Sequence, residues 1–186
     1  MGQVLKRDEY KTEIINGIKI VMMAPPFSNH NAVKGNIHYL FKHYLRGNVC
    51  LPIPDGEKLV LEKDQYVVPD FFVICDRSKY KKDGVYGAPD LVVEVLSPKT
   101  QKIDRGDKKD LYQLHGVKEY WIVDPDNRSI EVYIPRDRVY KLNAVYRIPG
   151  GDEPPEDKEN EADEFAVCLF PDMIVKLEDV FENVLL

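Results

Sequence analysis

The sequence predicts an α/β (α+β) domain, and three observations carry the prediction. Short apolar runs rich in Val, Ile, Phe and Tyr recur along the whole chain, as strands do. Only two long stretches show helical spacing, one early and one mid-chain. No segment repeats. Many short strands with two helices pack as layers, a sheet with helices on it.

The first element is a hairpin. Glu13-Ile14-Ile15 and Ile18 to Met22 flank Asn16-Gly17, a pair suited to a tight turn because both central positions need positive φ. Pro25-Pro26 ends it. A helix over Asn29 to Leu45 follows, with Val33, Ile37, Leu40, Phe41, Tyr44 and Leu45 on one face and Gly47 as its stop. Strands are expected at Val49 to Ile53, Lys58 to Glu62, and Tyr66 to Cys75, the last interrupted by Pro69-Asp70. A loop holding Gly84 and Gly87 leads to a strand over Asp90 to Leu96, which lacks clean alternation, as a strand covered on both faces does. The second helix runs from about Gln101 to Leu114, with Gly106 marking an irregularity and Gly116 the stop. Glu119 to Asp124 is a strand. Ile130 to Ile134, Val139 to Leu142 and Ala144 to Ile148 read as hairpin strands. Phe165 to Leu169 and Ile174 to Leu177 precede a short helix from Glu178.

The 186 residues suit one well-cored domain, 1–186. No apolar run approaches the roughly 20 residues of a membrane span, and the N-terminal stretch lacks the apolar core of a signal peptide. Cys50, Cys75 and Cys168 are scattered in apolar company without metal-ligand spacing, so we expect reduced thiols in a cytoplasmic protein. The net charge of −6 is concentrated in Asp152 to Glu164, whose eight acids and one Lys leave the rest of the chain at +1. That tract reads as a solvated loop insertion at about 151–164. Charge therefore neither excludes nor announces a polyanionic partner.

Chemistry is concentrated in two Pro-Asp pairs and a helix. Pro69-Asp70 and Pro89-Asp90 each introduce an apolar strand, FFVIC and LVVEVL, where a leading proline need not donate to the ladder. Glu94 lies among Val92, Val93, Val95 and Leu96, and burying its carboxylate is costly unless something pairs with it. Asp90 shares its face but lies about 13 Å away along the strand. Asp70 is the better partner, because neighbouring strands about 4.8 Å apart would bring the two carboxylates to one cation. Oxygen ligands without His or Cys suit Mg²⁺ or Mn²⁺. Asp104, Lys108 and Tyr112, spaced i, i+4, i+8, line one helix face, from which an ammonium can stabilise charge at a phosphate under attack. His30, Lys34 and His38 form a similar row on the first helix.

The order PDFFVICD, APDLVVEVLSPKT, D-x-x-x-K-x-x-x-Y and GVKEYWIVDP resembles a restriction-endonuclease-like family of mostly uncharacterised bacterial proteins within the PD-(D/E)XK nuclease superfamily. The likeness is dense from about Tyr66 to Pro125. It implies a restriction endonuclease-like core, a mixed β-sheet flanked by helices with additional hairpins, and Mg²⁺-dependent hydrolysis of DNA phosphodiesters. Asp70 and Glu94 match the superfamily's two metal-binding acids. The usual Lys two residues after the Glu is replaced by Leu96, and Lys108 matches the family's relocated lysine. Catalytic candidates are thus Asp70, Glu94 and Lys108, with Asp90, Tyr112, Asp104 and His30 accessory. A nuclease core that cuts both strands commonly works as a homodimer, so DNA and a second copy are the expected partners. Two other functions fit the same residues: a catalytically silent nuclease-fold module that binds nucleic acid or a protein, and a regulatory subunit whose acidic tract mimics DNA.

Overall fold

The computed structural model describes residues 11–22, 28–148 and 163–185. The acidic tract falls almost wholly outside them. In chain order the elements are β1 (Lys11–Ile15), β2 (Ile18–Met22), α1 (Ser28–Tyr44), β3 (Leu51–Pro54), β4 (Leu59–Glu62), β5 (Gln65–Val67) and β6 (Phe71–Ile74). A single 3₁₀ turn then precedes β7 (Tyr80–Lys81), β8 (Gly84–Tyr86) and β9 (Leu91–Val95). The chain continues through α2 (Gln101–Arg105), α3 (Asp107–Leu114), β10 (Glu119–Asp124), β11 (Ser129–Arg136) and β12 (Val139–Arg147). It closes with β13 (Glu164–Val167), β14 (Phe170–Lys176) and α4 (Leu177–Val180). The result is a mixed α+β fold.

The strands make two six-stranded sheets and a hairpin. The central sheet has the order β12-β11-β10-β9-β6-β3, and the second sheet the order β2-β1-β5-β4-β8-β7. The central sheet is mixed: β9 runs parallel to β10 and antiparallel to β6. One of its faces packs Phe71, Val93, Val95, Trp121 and Val123 against α1, the β13–β14 hairpin and α4. The other packs Phe72, Ile74, Val92, Tyr120 and Ile122 against the second sheet and α3. Both faces of β9 are therefore covered, which is why its sequence does not alternate between apolar and polar.

Local sequence explains most boundaries. Asn16 and Gly17 take φ of 51° and 75°, the turn that Asn-Gly favours. The helix α1 buries Val33, Ile37 and Phe41 at helical spacing. Gly106, with φ −112° and ψ −101°, breaks the expected second helix into α2 and α3. Pro69-Asp70 does more than interrupt a strand: it moves the chain from the second sheet, where β5 pairs with β1 and β4, to the central sheet.

Three expectations are corrected. Val139 to Leu142 and Ala144 to Ile148 form one strand, β12, because β11 is long enough to pair with both halves across a bulge at Val132/Tyr133. The glycine-bearing loop contains β7 and β8, which extend the second sheet. Gly84 has φ +142°, and a Cβ there would meet the Lys58 carbonyl oxygen at 2.6 Å, so the close approach of β8 to β4 requires glycine. Cys50 and Cys75 are not reduced thiols. They are joined as a disulfide because the register of β3 on β6, Leu51 opposite Ile74, sets them directly across from each other. Cys168 is free and exposed.

Among the described residues no helix is long and apolar enough to cross a membrane. The buried Glu119 belongs to the scaffold. Its carboxylate accepts from Trp121 Nε1 at 2.7 Å and from the backbone N–H groups of Cys168 and Leu169 at 3.2 and 2.6 Å. It thereby ties the β13–β14 turn to β10. Glu119→Ala leaves three donors without their acceptor and is expected to destabilise the fold by about 2–3 kcal/mol. Urea unfolding checks this, and hydrogen exchange should show the turn at Cys168 and Leu169 losing protection first.

Candidate active site

Strand alternation decides where Glu94 points. On β9, Leu91, Val93 and Val95 enter the core under α1, while Val92 and Leu96 enter the core under the second sheet. Glu94 belongs to the second set and is 2% exposed. It meets α3 there. Its Oε1 accepts from the Tyr112 hydroxyl at 2.6 Å and from Lys108 Nζ at 3.1 Å.

Lys108 is itself 1% exposed, so it is a core lysine rather than one of the solvated lysines around it. Besides Glu94, its ammonium lies 3.1 Å from Glu13 Oε1 and 3.4 Å from Asp104 Oδ1. The i, i+4, i+8 row survives the break at Gly106: Lys108 and Tyr112 donate to Glu94, Asp104 lies beside Lys108, and all three are buried. Tyr120 supports the row by donating from its hydroxyl to the backbone carbonyl of Asp104 at 2.8 Å.

Glu13 has no place in the sequence-level constellation. It stands on β1, fully buried, and its Oε1 also accepts the Val68 N–H at 2.9 Å. Its Oε2 and Asp104 Oδ1 are buried without a hydrogen-bond partner. The signal for Glu13 was weak but present: it alternates with Ile15, whose face of the hairpin is core.

Asp70 sits at the start of β6. The register Phe71 opposite Val93 carries it to the level of Glu94 on the neighbouring strand. Its Oδ2 accepts the Val95 N–H at 2.9 Å, so Asp70 locks the backbone beside Glu94. From α1, His30 Nε2 lies 3.2 Å from the same oxygen, and Lys34 Nζ lies 3.8 Å from Oδ1. Lys34 also pairs with Asp55 at 2.8 Å. His38, the third member of that row, packs against Phe71 instead.

The candidates thus divide. Glu94, Lys108, Tyr112 and Asp104 converge with Glu13; Asp70 and His30 adjoin them at the end of β6. Asp90 does not. It lies at the opposite end of β9, where its carboxylate accepts from the Cys75 N–H and from Lys118 Nζ, each at 2.7 Å. Those are strand-end contacts.

The electrostatics follow from counting. Three buried carboxylates, Glu13, Glu94 and Asp104, share one ammonium, with Asp70 close by. Burial pushes Glu94 from its ordinary 4.5 up to about 8; Lys108 opposes the shift, while Asp104, Asp70 and Glu13 add to it. Asp104 is likewise raised by burial, against the pull of Lys108. Burial alone would lower Lys108, but Glu94, Glu13, Asp104 and Asp70 outweigh it and hold the ammonium well above its usual value. Lys108 therefore stays charged at neutral pH. Tyr112 is raised by burial and by Glu94, so it remains a neutral donor.

A family model, Uma2, described as "Putative restriction endonuclease", matches residues 3–162. The chain belongs to the Uma2 family. An uncharacterized protein from Synechocystis is 31% identical over 134 residues, which are 71% of this chain and 70% of that protein. A crystal structure from Anabaena variabilis, described as a putative nuclease of the DUF820 family, superposes with a TM-score of 0.69 at 21% identity. That match covers 94% of this chain and 91% of the other, and it shows that the Uma2 chain has the fold of that structure. The fold is that expected of the restriction endonuclease-like superfamily.

The charge surplus predicts a pH dependence. Glu94 binds its proton more tightly folded than unfolded, so its contribution to stability is complete below about pH 4.5 and is lost as pH rises through about 8. Urea unfolding between pH 5 and 9 should show stability falling with pH, and Glu94→Gln should flatten that slope. Equal slopes in the two proteins would contradict the assignment.

Proposed function

We propose that this Uma2 protein is a Mg²⁺-dependent DNA endonuclease that hydrolyses phosphodiester bonds with a metal-activated water. The observation that supports this most is the buried excess of carboxylate over ammonium at Glu94, beside Asp70 on the adjacent strand. Burial raises Glu94 to about 8, so it holds its proton at neutral pH, and a divalent cation would favour the ionised form in that proton's place.

The donor set fits such an ion in chemistry and charge. Asp70 and Glu94 would hold it, with Mn²⁺ as a substitute. Among the described residues no group of three or more His, Cys, Asp or Glu is drawn together for a metal. Two carboxylates nevertheless match the way Mg²⁺ binds at phosphate-handling sites, where water and substrate oxygens complete its shell. When bound, the cation supplies a water of lowered pKa and neutralises charge on the phosphate.

The chain's own residues do the rest. Asp70 fixes the backbone of Val95 and so the aim of Glu94. His30, 3.2 Å from Asp70, steadies that carboxylate from α1. Lys108 presents a permanent positive charge for the oxyanion that develops in phosphoryl transfer, and Tyr112 holds Glu94 from below. A homodimer would account for cutting two strands, and sedimentation at twice the mass of one chain, or at that of one chain, distinguishes a dimer from a monomer.

A second reading is favoured by the burial of Glu94 and Lys108, 2% and 1% exposed: a nuclease-fold module that binds nucleic acid or a protein without cutting. Initial rates on supercoiled, linear and single-stranded DNA with Mg²⁺ or Mn²⁺ separate the two. The nuclease reading expects metal-dependent cleavage that Glu94→Gln lowers more than about a hundred-fold, beyond the ten- to hundred-fold typical of outer-shell changes. A Glu94→Gln variant that cuts like wild type removes the site assignment. A folded wild type that binds DNA and cuts none of the three supports the second reading.

A further inference from the structure

Glu13 reaches the site from a sheet that otherwise only covers it. The β1–β2 hairpin belongs to the second sheet, yet Glu13 turns its carboxylate inward, fully buried, to Lys108. Bracing the chain does not explain a charge at this position. The Val68 N–H needs one acceptor, and a neutral side chain would supply it at less desolvation cost. The second oxygen of Glu13 is buried with no hydrogen-bond partner, so a purely structural role wastes half of the group.

Lys108 explains the charge. Its four-carbon stem is flexible, and without Glu13 the ammonium would keep only Glu94 at 3.1 Å and the longer contact to Asp104, from its own helical segment, at 3.4 Å. Glu13 and Glu94 each lie 3.1 Å from Nζ, and they come from different sheets, so the ammonium is held between two fixed points. We infer that Glu13 is a positioning residue, which fixes the Lys108 ammonium at Glu94 through its charge and not through its bond to Val68. The catalytic part of this inference rests on the nuclease reading.

The test uses Glu13→Gln, which keeps an oxygen for the Val68 N–H and removes only the charge. Two readouts are taken on the full chain. One is the ¹H–¹⁵N resonance of the Lys108 ammonium in ¹⁵N-lysine-labelled protein, assigned with Lys108→Arg. The other is initial-rate cleavage of supercoiled plasmid with Mg²⁺. The inference expects the Lys108 signal to shift or broaden in Glu13→Gln, with kcat reduced by about ten-fold or more and KM little changed. Glu13→Asp, which keeps the charge on a shorter stem, should fall between the two, and it replaces Glu13→Gln if that variant does not fold. A Lys108 signal unmoved by loss of the charge overturns the inference, as does cleavage by Glu13→Gln at the wild-type rate. If the wild type cuts nothing while the Lys108 signal shifts in Glu13→Gln, the nuclease reading fails and the positioning role stands.

Discussion

One lysine shared among three buried carboxylates is the constraint on which the rest depends. Lys108 is enclosed by Glu13, Glu94 and Asp104 at 3.1 to 3.4 Å, in a space closed to solvent by two sheets and a helix. Removing the lysine from such a buried set leaves its carboxylates without a counter-charge, which costs about 3–5 kcal/mol, so a core built only for stability would use apolar residues here. The elements around the cluster serve it. β9 supplies Glu94, α2 and α3 supply Asp104, Lys108 and Tyr112, and the hairpin reaches across to supply Glu13. Asp104 and Lys108 stay on one line across the break at Gly106, although they belong to two helices.

The surroundings of Asp70 show how the fold joins that cluster to one more carboxylate. Asp70 stands where β6 leaves the turn at Pro69, and it binds the backbone N–H next to Glu94. Its other contacts, His30 and Lys34, come from the first turns of α1, on the opposite side of the sheet. The carboxylate pair therefore sits at a seam between the two layers.

Local signals in the sequence reveal much of this. The Asn-Gly hairpin, the apolar stripe of α1 and the stop at Gly47 depend on neighbours within a few residues, and the structure has them where the pattern puts them. Asp104, Lys108 and Tyr112 were visible as one helix face because their spacing is itself the signal. The lateral contacts were not visible. Nothing local reveals that β5 and β6, on either side of Pro69-Asp70, enter different sheets, or that β3 lies against β6 and so pairs Cys50 with Cys75. Glu13 was hidden for the same reason: it is 95 residues from Lys108 in a chain of 186, and only the packing of the second sheet brings them together. The alternation of Glu13 with Ile15 in a short apolar strand is the one hint, and an exposed hairpin would look alike.

The central claim is that the excess of buried carboxylate at Asp70 and Glu94 is a place for a divalent cation. Calorimetric titration of Mn²⁺, then Mg²⁺, into the wild type and into an Asp70→Asn, Glu94→Gln double variant, both shown to be folded, tests it without needing a DNA target. The account predicts saturable binding by the wild type that is lost in the double variant. Binding of equal strength in both proteins, or none in the wild type even with uncleavable DNA present, would contradict it.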